Sequence, residues 1–494
     1  MTSNGETIGG IVAGKTLPGT GEGVIRRRSP GDGSPLSDVA VSGRPEVDEA
    51  VRIGAEAFES GIWSDQSPQA RGEVLRKLAD LVERDARLLA ELDAVEAGKP
   101  ISECIEGDVP AALEALRWFA GAADKLYGTT SPTNGQELGL TLREPIGVVA
   151  AIMPWNYPMA QAAWKLGPAL AAGNSVLLKP ADQTPSSALH IARLAYEAGV
   201  PTEVLSVLPG DGASTGAAIA SHPGIDALSF TGSTATGRAI LHAAARSNLK
   251  RVSLEMGGKS PQILLADALT YGDELFDQMI DASFLTMGQN CTAGSRILVH
   301  ESIADEVSDR FAKRAHRLVV GPPLEPTTKI GPLITQAAAD RVNALVDRAV
   351  DDGAEVLLRG SDPRQDGPTP QYVAPIVLRG CTPDSEIQQT EIFGPVATLT
   401  TFASEDEAVA LANNTSYGLA ASVWTQDLNA AMRLSRAVKA GVVSVNCYSE
   451  GGMSTPFGGY KQSGFGGKER AFEAFDQWVQ TKTVWIRLHR TSER

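Results

Sequence analysis

Three residues stand where their type and neighbours could do covalent chemistry. Cys291 lies in MGQNCTAGSR, after a predicted helix and between Gly288 and Gly294, where backbone N–H groups can approach a ligand. A thiol in such a place can be lowered in pKa and still be reached, which suits a nucleophile. Taken alone, a lone cysteine is more often inert. Cys104, Cys381 and Cys447 lack such surroundings and read as inert thiols. Glu255, in VSLEMGGKS, ends a predicted strand immediately before two glycines, the edge where parallel sheets build their sites. It could be a general base or simply a solvated acid. Asn156, in IMPWNYP, could donate its side-chain amide to an oxyanion or be a turn asparagine between prolines.

Two further segments suit a phosphorylated ligand. SFTGSTATGRAI reads as strand, turn and helix start, and Gly232 and Gly237 would let a pyrophosphate approach the helix N-terminus. In KPADQTP, after another strand, Lys179 and Asp182 could hydrogen-bond ribose hydroxyls or form an ordinary charged loop. The six histidines are scattered, none in an HExxH pair, and no metal site is assigned.

The elements that must position these residues follow from the hydrophobic pattern. Residues 46–95 carry apolar positions at helical spacing, broken at Gly61 and Ser67-Pro68. From 146 to 265, short apolar runs (GVVAAIMP, SVLLKP, VLSVLPG, ALSFTG, RVSLEMG) alternate with helices over 158–172, 185–198 and 234–246. That alternation predicts right-handed crossovers and a parallel sheet. Residues 261–445 repeat the texture, with strands PQILLA, RILVH and GVVSV and helices over 271–287, 302–317 and 335–352, as a second α/β unit. Residues 127–145 read as a hairpin turning at Asn134-Gly135, and 361–370 as a surface loop. The tail TKTVWIRL reads as a strand with nothing after it to pair with, and exposed strands of this kind often pair with another subunit.

At 494 residues the chain exceeds a single core, since compact domains usually stop near roughly 250 residues. A formal charge of −15 disfavours nucleic acid and anionic membranes as partners. The only basic cluster, Arg26-Arg27-Arg28, reads as a solvated turn. Widely spaced cysteines, a start without a signal-peptide pattern and no run of roughly 18 apolar residues point to a reducing, cytoplasmic setting.

MPWNYP, LLKPADQTP, FTGST, LEMGGKS, GQNCTAGSR, EIFGPV and PFGGYKQSG occur in the order and approximate spacing of the aldehyde dehydrogenase superfamily, which the chain resembles over nearly its whole length. The resemblance implies an α/β fold with a Rossmann-like cofactor domain (1–126 and 146–257) and an α/β catalytic domain (258–475). A β-strand bridge for oligomerisation (127–145 and 476–494) completes it, in a homodimer or homotetramer. It implies NAD-dependent oxidation of an aldehyde to its acid. Cys291 would be the nucleophile, Asn156 and the Cys291 N–H the oxyanion hole, Glu255 the base for the deacylating water, and Lys165 a further active-site residue. For the cofactor it implies Trp155, Lys179, Asp182, Gly232, Ser233, Glu391 and Phe393. Members preferring NAD often carry Glu where this chain has Asp182, yet a carboxylate there should still repel a 2′-phosphate, so NAD is expected over NADP.

The implied pocket is Tyr157, Gln161, Trp164, Leu285 and Phe457, with Glu450 as a carboxylate free to hold a distal ammonium or amide. The C-terminal motifs are most similar to the branch acting on γ-glutamyl-γ-aminobutyraldehyde and other ω-aminoaldehydes. Two alternatives are a coenzyme-A-acylating dehydrogenase, against which Glu255 argues, and a structural homologue without turnover, against which the set of Cys291, Glu255 and Asn156 argues.

Overall fold

The computed structural model describes residues 7–19, 23–360 and 371–488. The loop expected at 361–370 and the ends of the outer domain ranges lie outside them. Helices Arg44–Glu59, Pro68–Arg84 and Ala86–Ala97 form where the sequence spacing places them. The break at 61–67 has two local causes. Gly61 adopts φ +73°, and the Ser67 hydroxyl accepts the Ala70 N–H while Pro68 occupies the first turn, where its missing N–H costs nothing. Leu75, Leu78 and Val82 are fully buried on the face that meets helix Val109–Ala122.

Arg27 departs from the expected solvated turn. Arg26 and Arg28 are exposed, but Arg27 is buried. Its guanidinium donates to Glu96 at 2.6 Å, to the Gln183 carbonyl at 3.0 Å and to the Ser37 carbonyl at 2.9 Å. Glu96 in turn accepts the Ser186 N–H and hydroxyl. This network ties the N-terminal segment to the loop after Lys179, as expected of a buried charge that is stable only when paired.

The first sheet has eight strands. Its parallel core runs, side by side, Arg251–Glu255, Ala227–Thr231, Val148–Ile152, Ser175–Lys179 and Leu205–Val207. Helices on both faces bury these strands, which explains their continuous apolar runs. From Val148–Ile152 the chain builds outward to one side, then crosses to the other. The strand order therefore reverses between Val148–Ile152 and Ala227–Thr231, and a crevice opens at that switch point beyond the carboxyl ends. The register levels those ends: Ile152 pairs with both Lys179 and Phe230, and Thr231 pairs with Glu255. Antiparallel strands Gly10–Val12 and Lys15–Leu17 close one edge, and Gly464–Phe465 returns late in the chain to close the other.

The second sheet has seven strands: Glu355–Arg359, Ile376–Arg379, Val396–Phe402, Arg296–His300, Pro261–Leu264, Ala420–Trp424 and Val442–Val445, all parallel except the first. Its amino edge faces the carboxyl edge of the first sheet. The link Met256–Ser260 crosses directly between them, and Cys291 and Glu391 each lie five residues before a strand of the second sheet.

The tail strand, with nothing after it to pair with, finds its partner earlier in the chain, in the hairpin of the expected strand bridge. Val479–Arg487 pairs antiparallel with Glu137–Pro145 along all its residues, and Thr129–Ser131 adds a third strand. Asn134 stands at the hairpin turn, its side-chain oxygen accepting the Gln136 N–H. Trp485, Leu142 and Ile486 stay exposed on this small sheet. No helix among the described residues is long and apolar enough to cross a membrane.

Candidate active site

A cavity of about 1260 Å³ fills the space between the two sheet edges. Every residue expected at the site faces it except Lys165, which lies just behind the wall, and Gly237, which is buried in its helix against Met256.

At the inner end, Cys291, Glu255 and Asn156 converge from three separate segments. Asn156 is buried and donates one amide N–H to the Gln289 carbonyl at 2.9 Å, which leaves its second N–H for a ligand oxygen. The two glycines after Met256 are required by close approach. A Cβ on Gly258 would lie 2.3 Å from the Cys291 carbonyl, and one on Gly257 would lie 2.1 Å from the Glu391 carboxylate. Thr286 and Met287, leading to Cys291, hold positive φ of 53° and 56°, backbone strain of the kind stored at functional sites.

Glu255 is buried, with one oxygen accepting the Gly459 N–H at 3.3 Å and the other, Oε1, without a partner. Gly458 approaches so closely that a Cβ there would be 2.4 Å from Oε1, and its φ of +152° also favours glycine. Burial pushes the Glu255 carboxyl well above the ordinary range and the neighbouring Glu469 pushes it further, with Lys165 and Lys468 opposing.

The expectation of a lowered cysteine pKa does not hold. The thiol is reachable from the cavity, but the protein around it and the acids Glu450, Glu391 and Glu255 hold it well above its usual value. Its proton must therefore be removed for the sulfur to attack. Lys165 is fully buried, paired with Glu469 and donating to Ser229 Oγ at 2.8 Å. Glu469 and Arg470 were not singled out in the sequence. Lys468-Glu469-Arg470 looks like any solvated charged run, and only burial in the fold reveals its place.

At the other end, Ser233 caps helix Thr234–Arg246, its hydroxyl accepting the Thr236 N–H. The Gly232 N–H is taken by the Glu255 carbonyl at 3.0 Å, so the free N–H groups for an anion are those of the first helical turn beyond it. Burial lowers the Lys179 amine to about 8, with Asp182 and Asp211 opposing, and its one hydrogen bond is to the Pro180 carbonyl at 3.1 Å. Such an amine has donors to spare for hydroxyls.

Glu391 accepts the Gly258 N–H at 3.0 Å and is raised by burial to about 7. Phe393 meets Trp155 edge-to-face, with ring centroids 5.4 Å apart. A helix N-terminus, a buried amine with Asp182, and Glu391 with Phe393, spread along one cavity, fit a dinucleotide. Among the described residues no group of three or more His, Cys, Asp or Glu could hold a metal ion.

The remaining wall is aromatic. Trp164 and Phe457 meet with ring centroids 5.8 Å apart, and the Tyr157 ring lies under the Lys99 ammonium, 3.8 Å from its centroid. Gln161 and Leu285 complete it. Glu450 lines the cavity but does not offer the free carboxylate expected of it. One oxygen accepts Arg470 Nη2 at 2.7 Å and the other accepts Thr292 Oγ1 at 2.5 Å.

Residues 18–484 match the profile of the aldehyde dehydrogenase family. The chain is 43% identical over 458 residues to the aminoacetaldehyde dehydrogenase of Pseudomonas aeruginosa, covering 93% of this chain and 91% of that protein. It is 44% identical over 455 residues to the NADP/NAD-dependent aldehyde dehydrogenase PuuC of Escherichia coli, covering 92% and 90%. A crystal structure of the P. syringae indole-3-acetaldehyde dehydrogenase AldA, a Cys-to-Ala mutant in complex with NAD+ and IAA, superposes with a TM-score of 0.94 at 41% identity, covering 97% and 96%.

Proposed function

Because the chain belongs to the aldehyde dehydrogenase family, we propose that Cys291, Glu255 and Asn156 are its catalytic residues in oxidising an aldehyde to the carboxylic acid. The observation that carries this assignment is their convergence at one end of a single cavity from segments more than thirty residues apart, with residues suited to a dinucleotide at the other end.

Cys291 Sγ, once deprotonated, forms a bond to the aldehyde carbon, and the carbonyl oxygen becomes an oxyanion held by the free Asn156 N–H and the Cys291 backbone N–H. Lys179, Asp182, Glu391 and Phe393 would hold NAD+ along the cavity, where its nicotinamide would supply the acceptor for the hydride that leaves that carbon. The oxyanion re-forms a carbonyl, leaving a thioester on Cys291. Glu255 then takes a proton from water as the water oxygen adds to the thioester, the C–S bond breaks, and the acid leaves. A carboxylate poised for water supports hydrolysis as the release step. Lys165 and Glu469 act on Glu255 through their charges, Glu469 raising its pKa and Lys165 opposing that rise.

The substrates proposed are aliphatic aldehydes carrying nitrogen, a reading supported by the C-terminal motifs and by the aminoacetaldehyde dehydrogenase among the relatives. NADH formation followed at 340 nm with NAD+ and such aldehydes tests the activity, and no turnover with any aldehyde would overturn it. Asn156→Ala should lower kcat by about a hundredfold or more, the usual loss on removing one oxyanion donor. An unchanged kcat would remove Asn156 from the oxyanion hole.

Lys179 and Asp182 are proposed to hold the adenosine ribose. Repulsion between the Asp182 carboxylate and a 2′-phosphate favours NAD, so Asp182→Ser should narrow the preference for NAD over NADP by about tenfold in kcat/KM. An unchanged ratio would place the discriminating group elsewhere. The three-stranded sheet, with Trp485 and Ile486 exposed, is proposed to join copies into a dimer or tetramer. The four unpaired cysteines support a reducing compartment, the cytoplasm, as its location.

A further inference from the structure

Arg470 holds a conformation that side-chain-bearing residues avoid, and so does the next residue: φ is +56° at Arg470 and +52° at Ala471. Two successive left-handed residues persist only where the surroundings over-determine them. Here the Ala471 N–H is taken by the Met453 carbonyl, and Glu469 and Phe457 exchange both backbone hydrogen bonds. The consequence is that Arg470 points into the cavity wall rather than to solvent. It is 7% exposed, with its guanidinium 4.1 Å from the Trp164 ring centroid and 4.9 Å from that of Phe457.

Its partner is Glu450. Beyond the 2.7 Å contact to that carboxylate, Arg470 Nη1 donates to the Glu450 carbonyl at 3.1 Å and to the Gly451 carbonyl at 2.9 Å. The other Glu450 oxygen is held by the hydroxyl of Thr292, next in sequence to Cys291. An ion pair thus lies between the nucleophile's segment and the aromatic wall. The rim acids Glu106 and Glu114 are exposed and screened by solvent. In the buried wall, neither charge of the pair is left over for a ligand.

We propose that the Glu450–Arg470 pair sets the charge selectivity of the aldehyde pocket, so that the nitrogen of the preferred substrate is acylated and neutral rather than a free ammonium. This rests on the dehydrogenase reading above and narrows its substrate class. The pair leaves this stretch of the wall polar but without net charge, which suits a neutral amide tail and offers an ammonium or a carboxylate no unpaired counter-charge. Each partner masks the other. Losing Arg470 exposes an acid that favours an ammonium tail, and losing Glu450 exposes a guanidinium that favours a carboxylate tail.

The test compares kcat/KM for 3-acetamidopropanal, 3-aminopropanal and 4-oxobutanoate in the wild-type enzyme and in the Arg470→Met, Glu450→Gln and double variants. The wild type should prefer the amide. Arg470→Met should cut the amide-to-ammonium ratio by about tenfold, and Glu450→Gln should cut the amide-to-carboxylate ratio similarly, as expected for one unmasked charge-assisted hydrogen bond. The double variant should return both ratios toward wild type. Ratios within one variant cancel general losses of activity. If a single variant does not fold, the wild-type order decides alone: preference for the ammonium or carboxylate substrate overturns the proposal, as do single variants with unchanged ratios. If no aldehyde of any charge reduces NAD+, the dehydrogenase reading itself fails, which is a distinguishable result.

Discussion

Cys291→Ala should abolish turnover, lowering kcat on the order of a thousandfold or more, while leaving the fold and NAD binding intact. The thiol's one polar contact is a long one, 3.8 Å to Asn290 Oδ1, and Cys291 is only partly buried, so truncation removes little packing. Circular dichroism and NAD titration of the variant check these controls, and retention of more than a few per cent of kcat would exclude Cys291 as the nucleophile. Replacing Cys104, Cys381 or Cys447 should change activity little. Cys104 is fully buried beside Lys99 and Asp108, so its replacement acts on stability rather than on chemistry. The raised Cys291 pKa also sets a sign. Only the thiolate attacks, so the rate of the first NADH burst should rise with pH through neutrality rather than stay flat. A pH-independent burst would mean that the bound complex lowers that pKa below the working range.

Glu255→Gln separates the two halves of the reaction. Hydride transfer needs the thiolate, whereas thioester hydrolysis needs a base for water, and the amide keeps the shape of the side chain and an oxygen to accept the Gly459 N–H. Steady-state turnover should fall by about a hundredfold or more, within the range of positioned acid–base catalysis. A burst of NADH should persist, and acyl-enzyme should accumulate to be detected by mass spectrometry of the intact protein. Rapid turnover with no trapped thioester would contradict the role. In the wild type, burial and Glu469 hold the Glu255 carboxyl above its ordinary range, so its base form is lost as pH falls through that raised pKa and deacylation slows on the acid side. That acid limb should be missing in the variant.

The raised values of Glu255 and Cys291 share a cause that no local sequence carries. MGQNCTAGSR suggests an activated thiol because small residues and N–H groups surround it along the chain. The acids that oppose ionisation, Glu255, Glu391 and Glu450, arrive from other segments. A pKa is a property of the three-dimensional surroundings, so the sequence singles out the candidate nucleophile but not the direction in which its pKa is shifted.

What the sequence determined by itself is what depends on near neighbours. The strands around 148–152, 175–179, 227–231 and 251–255 and the helices over 158–172 and 234–246 form where apolar runs, helical spacing and Gly or Pro turns put them. Because candidate site residues cluster at the ends of such strands, Asn156, Lys179, Gly232 and Glu255, all of which line the cavity, could be named as candidates without coordinates. Contacts between distant segments were decided by the tertiary structure alone. The tail Val479–Arg487 pairs with Glu137–Pro145, Gly464–Phe465 closes the first sheet beside Glu255, and Arg27 is buried against Glu96. In the same way Glu469 stands against Lys165, and Arg470 neutralises Glu450. The physical reason is common to all of them. An exposed charge or edge strand and a buried one look alike along the chain, and which it becomes depends on the partner that folding brings across hundreds of residues.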